Sequence, residues 1–130
     1  VHSLGRGDVL LAGVSWVPPK TGSLPIMDLS VMMYDDEWGY VDSCDWQKLA
    51  VRGCTHSGDW CGKIDQATHK GPVRETVKID MAEVRKAVEG SKTLVRYVVV
   101  ATFSYSGQDM SEVPQAFVYL ADPNQRGGGP

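Results

Sequence analysis

Four side chains able to ligate a soft metal or form a thiolate lie close together in this sequence: Cys54, His56, Cys61 and, farther on, His69. A structural zinc takes four such ligands, normally in closely spaced pairs, and the spacing Cys54-x-His56-x4-Cys61-x7-His69 matches no usual paired arrangement. On an extended strand Cys54 and His56 point to the same face, so a thiolate beside an imidazole is geometrically open. A nucleophile also needs an orienting group and an oxyanion donor, and the neighbouring residues supply neither. The chain carries no Ser/His/Asp set and no glycine loop of the phosphate-cradling kind, so an enzyme is not expected. The plainest account of the stretch is a strand end followed by a turn at Ser57-Gly58-Asp59.

Two further stretches invite a functional reading and have a simpler one. Arg6-Gly7-Asp8 spells an adhesion tripeptide, yet Gly7-Asp8 also suits a turn into the first strand. Asp35-Asp36-Glu37 is acidic, but a charged run at a hairpin tip serves solubility and turn formation. The tryptophans are more telling. Trp16 falls within a strand and is expected in the core, whereas Trp38 and Trp60 fall in turns or loops, where an indole is often a contact residue. Their alternative role is to fold back over the edge of the body.

The elements that must position these groups are mostly strands. Residues 8–16 form an apolar run closed by Val17-Pro18-Pro19, whose prolines cannot donate ladder hydrogen bonds. Residues 26–34 alternate, with Met27, Leu29, Val31 and Met33 on one face and Asp28, Ser30 and Met32 on the other. The polar phase is expected to meet water or a ligand near the Asp28 end. Residues 40–44 return across a turn at 35–39 to make a hairpin. Residues 52–56 read as a strand and 60–72 as a long polar loop of the sort that is often functional. Residues 75–80 alternate, with Val77 and Ile79 facing inward. Asp80 then caps a short helix, Glu83 standing three residues later and Gly90 at its end. Residues 93–106 are apolar in both phases, which predicts a strand covered on both sides or central in a sandwich. Residues 115–120 supply the last strand. Many short strands with one helix predict an antiparallel β-sandwich over residues 1–123, with a flexible Gly-rich tail or linker at 124–130.

Composition narrows the class of function. A chain of 130 residues, 42% apolar and 22% charged, holds one domain with a substantial core. The net charge of -3 comes with no Lys/Arg block, which argues against a nucleic-acid partner. No apolar run approaches the roughly 18 residues that span a bilayer, so a membrane partner is not expected. Three cysteines are sparse and odd in number, which favours a reduced, cytoplasmic protein over a disulfide scaffold. The terminal Gln-Arg-Gly-Gly-Gly-Pro reads as a linker, so the chain is expected to be a domain of a larger protein.

Five pieces in order, Gly13-Val14-Ser15-Trp16, Met27-Asp28-Leu29-Ser30, His56-Ser57-Gly58-Asp59, Glu75 to Asp80 and Val113-Pro114-Gln115-Ala116-Phe117-Val118, resemble the TerD family of tellurite-resistance and stress-response proteins. The resemblance covers nearly the whole chain. It implies an intracellular β-sandwich without enzymatic chemistry that binds calcium through acidic loops at one end. Carried over by position, it implies Asp28, Asp59 and Glu75 as the calcium ligands. Calcium takes six to eight oxygens, so acids from distant segments must converge. Two departures weaken that site: Ser30 stands where a second strand acid is expected, and Pro72-Val73-Arg74 replace the acids before Glu75. Lys63, Lys70 and Arg74 add opposing positive charge. The expected function is therefore a non-catalytic binding module with a degenerate calcium site. Its alternative is a protein-interaction domain that has lost the metal and binds a partner through Trp38 and Trp60.

Overall fold

The computed structural model describes residues 9–58, 64–86 and 94–123. Arg6-Gly7-Asp8, Asp59, Trp60, Cys61, Lys63 and the tail at 124–130 lie outside the described residues. Two antiparallel sheets face each other in a sandwich. The first contains β1 (Val9–Trp16), β4 (Ala50–Val51), β5 (Cys54–His56), β6 (Val73–Asp80) and β8 (Phe117–Ala121), in the order β4-β5-β6-β1-β8. The second contains β2 (Met27–Tyr34), β3 (Tyr40–Cys44) and β7 (Tyr97–Ser104), in the order β3-β2-β7.

Alternation explains why the layers meet as they do. Met27, Leu29, Val31 and Met33 project from β2 into the interior and are fully buried. Across from them β1 presents Ala12, Val14 and Trp16, and its register with β6 sets Val14 beside Glu75 and Ala12 beside Val77. Each fully buried large apolar side chain contributes about 1.5–3 kcal/mol, so this central seam carries much of the fold's stability. Trp16 is in the core as expected, with its indole N–H donating to Pro25 O at 3.0 Å.

Asp80 caps the helix α1 (Met81–Lys86), its Oδ1 accepting from Glu83 N at 3.2 Å. The expected strand at 52–56 is in fact a hairpin, because Arg52 and Gly53, both at positive φ, form a two-residue turn that brings Val51 opposite Cys54. A larger correction concerns β7. The run apolar in both phases was expected to be covered on both sides or central, but β7 pairs with β2 alone among the described strands and is half-buried along most of its length. Apolar content measures how a strand tolerates burial, and sheet order decides whether it receives it.

Candidate functional site

Two places in this body bring chemically capable side chains together: a buried acid-imidazole node between the sheets, and an aromatic face at the β2–β3 hairpin.

The node starts from a gap in a ladder. Ile26 O and Tyr34 O accept hydrogen bonds from Tyr105 N and Arg96 N at either end of β7, so the even residues of β2 aim their backbone groups at β7 and the odd ones at β3. β3 ends opposite Val31, where Cys44 pairs, which leaves the Leu29 N–H and C=O without a strand partner. Side chains fill the place. Glu75 Oε1 accepts from Leu29 N at 3.1 Å, and His56 Nε2 lies 3.2 Å from Leu29 O and 2.7 Å from Glu75 Oε1. Gly58 N donates to His56 Nδ1 at 2.9 Å, which makes Nδ1 the acceptor and puts the imidazole proton on Nε2. His56 is thus a neutral donor to a buried carboxyl, and strands of both sheets are joined through it. The other Glu75 oxygen, Oε2, is buried with no hydrogen-bond partner among the described residues.

The expected calcium acids fare differently from one another. Asp28 and Glu75 are both buried and come close along the chain path, since Glu75 bonds the residue that follows Asp28. The β pleat nevertheless sends the Asp28 side chain to the face opposite Leu29 and Glu75, and there Asp28 is only 2% exposed, so that end of the strand does not meet water as expected. Asp59, the third acid, lies outside the described residues. Tested against calcium's demand for several converging oxygens, Glu75 Oε2 is an orphan that a cation would satisfy, but no group of three or more His, Cys, Asp or Glu gathers among the described residues. A calcium ligand set is not assembled by Asp28 and Glu75 themselves.

The soft ligands do not form a centre either. Both ring nitrogens of His56 are engaged. Burial, followed by the nearby Cys44 and Asp42, pushes the Cys54 thiol up to about 12, and burial followed by Asp45 lifts Cys44 to about 11. Thiols so raised are protonated at neutral pH and make poor nucleophiles.

The second place is open to solvent. Tyr34 belongs to the β2 phase that faces away from the core; Tyr40 and Tyr97 lie opposite it on β3 and β7, so all three rings share the outer face of the second sheet. Trp38, at the hairpin tip, stacks on Tyr97 with ring centroids 4.0 Å apart and planes 4° off parallel. Tyr34 lies 5.8 Å from Trp38 and 6.2 Å from Tyr40. Asp35 holds the turn, its Oδ1 accepting from Glu37 N at 2.9 Å and Gly39 N at 2.6 Å. Trp38 as a residue is nevertheless 58% exposed, and it adopts φ 62, a left-handed conformation that costs a non-glycine residue on the order of 1 kcal/mol.

Of the residues expected to meet a partner, Trp38 is therefore at the surface, and Trp60 lies outside the described residues. Tyr34, Tyr40 and Tyr97 join Trp38 without having been singled out from the sequence. Their alternation phase placed Tyr34 and Tyr97 on strands, but only the register showed that they share one face. His56 as the partner of Glu75 was likewise unforeseen. Compared with protein-family models, curated proteins and solved structures, the chain matches none.

Proposed function

We propose that this chain is a non-catalytic, TerD-like binding module that holds a protein partner against the outer face of its three-stranded sheet, around Trp38. One observation carries the reading: a tryptophan is kept mostly exposed, stacked on Tyr97, in a backbone conformation that glycine or asparagine would occupy at less cost. Rigid aromatic side chains of this kind are the commonest energetic anchors of protein interfaces. The family resemblance supports a place in stress response or in the assembly of a larger cytoplasmic protein. The raised thiols of Cys44 and Cys54 and the occupied nitrogens of His56 favour a module without catalysis.

The reading is tested by Trp38→Ala. The variant is expected to melt within a few degrees of the parent protein while losing at least tenfold in affinity for a partner captured by the parent, about 1.4 kcal/mol. Full partner retention with a large loss of stability would instead make Trp38 a cover for the sheet edge.

Calcium is a second reading, favoured by the buried and unpartnered Glu75 Oε2. It requires Asp59 and backbone oxygens to complete what Asp28 and Glu75 begin, and so a weak site. Titrating chelator-stripped protein with calcium checks it: heat and a thermal shift at millimolar ion support the reading, and neither signal removes it.

A further inference from the structure

The charges around the aromatic face are lopsided. Asp36 and Glu37 are exposed and precede Trp38 directly in the chain, and Asp35 O accepts from Trp38 N at 3.2 Å. Two basic groups that follow the hairpin in the chain are already engaged with Asp42 of β3, Lys48 at 3.0 Å and Arg52, in the β4–β5 turn, at 3.6 Å. Arg96 sits with its Cζ 5.8 Å from the centroid of Tyr97, the ring whose other neighbour is Trp38. The stack thus already receives one guanidinium from within the chain. The exposed part of the indole is a further π surface, flanked by acids.

Resting on the reading of Trp38 as a partner contact, we propose that the platform of Tyr34, Trp38 and Tyr40, with Asp36 and Glu37 at its rim, binds an arginine- or lysine-bearing segment of a partner protein. A cation over an indole face is held by the ring quadrupole, best on tryptophan, and carboxylates at the rim strengthen the attraction and raise the encounter rate. Tyr34, with Trp38 on one side and Tyr40 at 77° on the other, supplies walls on more than one side of the seat. The left-handed backbone at Trp38, whose N–H donates to Asp35 O, sets the ring at the tip of the acidic turn.

The probe is a short arginine-glycine repeat peptide, compared with the same peptide carrying citrulline, which keeps the shape of arginine without its charge. Binding is measured by calorimetry to the parent chain, to Trp38→Gly, which relieves the backbone strain and removes the ring, and to the double variant D36N/E37Q. The arginine peptide is expected to bind saturably and at least tenfold more tightly than the citrulline peptide. W38G is expected to weaken it by about two- to thirtyfold, the range of exposed to desolvated cation–π contacts, with thermal melting kept within a few degrees. D36N/E37Q is expected to weaken it by a factor that shrinks as salt is added. Equal binding of both peptides, lost in W38G, would overturn the choice of a cationic partner and leave Trp38 as a contact for another one. No saturable binding of the arginine peptide at low-millimolar concentration, or binding indifferent to W38G, would overturn the proposal. If partner retention by Trp38→Ala were also full, the parent reading would fall with it.

Discussion

Removing the His56 imidazole should cost this domain a large share of its stability. In His56→Ala, Glu75 Oε1 keeps only the Leu29 N–H, Leu29 O loses its donor, and the Gly58 N–H loses its acceptor. Breaking a buried polar pair from one side costs about 3–5 kcal/mol, because the groups left behind are desolvated without compensation. Since Nδ1 accepts from Gly58 N, the contact is a hydrogen bond from the imidazole Nε2–H to a carboxyl oxygen rather than an ion pair; the lower end, about 3 kcal/mol, is therefore the better expectation. A domain of this size holds about 5–15 kcal/mol in total, and each kcal/mol moves the midpoint by roughly 4 °C, so the melting temperature should fall by about 12 °C. Urea denaturation followed by circular dichroism and by tryptophan fluorescence gives the free energy. The double variant H56A/E75Q supplies the control: its amide oxygen still accepts from Leu29 N while its amide N–H can supply the donor that Leu29 O has lost, so it should be more stable than H56A alone by about 1–2 kcal/mol. A loss below about 1 kcal/mol in H56A, or a double variant no more stable than the single one, would refute the account of the node as a two-sided satisfaction of Leu29 and Glu75.

Gly53→Ala should be at least as damaging as a core truncation, about 2 kcal/mol or more. Gly53 has φ +84, and an added Cβ would lie 2.7 Å from Val84 N and 2.8 Å from Asp80 O, backbone atoms that cannot step aside without moving the start of α1; thermal melting reads the loss. Cys44 and Cys54 should resist iodoacetamide at pH 8 in the folded protein and react on addition of urea, as followed by mass spectrometry residue by residue, because burial raises both thiols to about 11 and 12. Burial works to raise the Asp42 carboxyl, but the hydrogen bonds from Lys48 and Ser43 and the charges of Lys48 and Arg52 outweigh it and hold Asp42 below its ordinary value. A depressed carboxyl contributes stability that is present above its unfolded pKa and is lost as pH falls through the folded one. Asp42→Asn should therefore cost stability at neutral pH and converge with the parent protein in acid. With the Lys48 side chain 59% exposed, the cost should stay under about 1 kcal/mol, and denaturant midpoints across the acid range measure it.

Periodicity carried most of the fold. The alternation of residues 27–34 named the four side chains that prove fully buried, and the Asp80-x-x-Glu83 spacing located the helix start, because both are local consequences of backbone geometry. The Arg52-Gly53 turn was hidden because arginine rarely takes positive φ and its neighbours read as a continuous strand. The placement of β7 was hidden for another reason: nothing within residues 97–104 states how many strands lie beside them.

The candidate sites divide along the same line. Residue types and turn chemistry alone were enough to put Trp38 at a hairpin tip and Val77 and Ile79 on an inward phase, since each depends on neighbours within a few positions, whereas Glu75, expected as a ligand at the loop end, proves fully buried. That His56 meets Glu75 across 19 residues, that both serve a Leu29 edge which β3 abandons, and that Tyr97 slides under Trp38 from another strand were decided by register and sheet order. Those are pairings between distant segments, chosen by which arrangement buries the most apolar surface while leaving the fewest backbone groups unsatisfied, and no local pattern of residues encodes that sum.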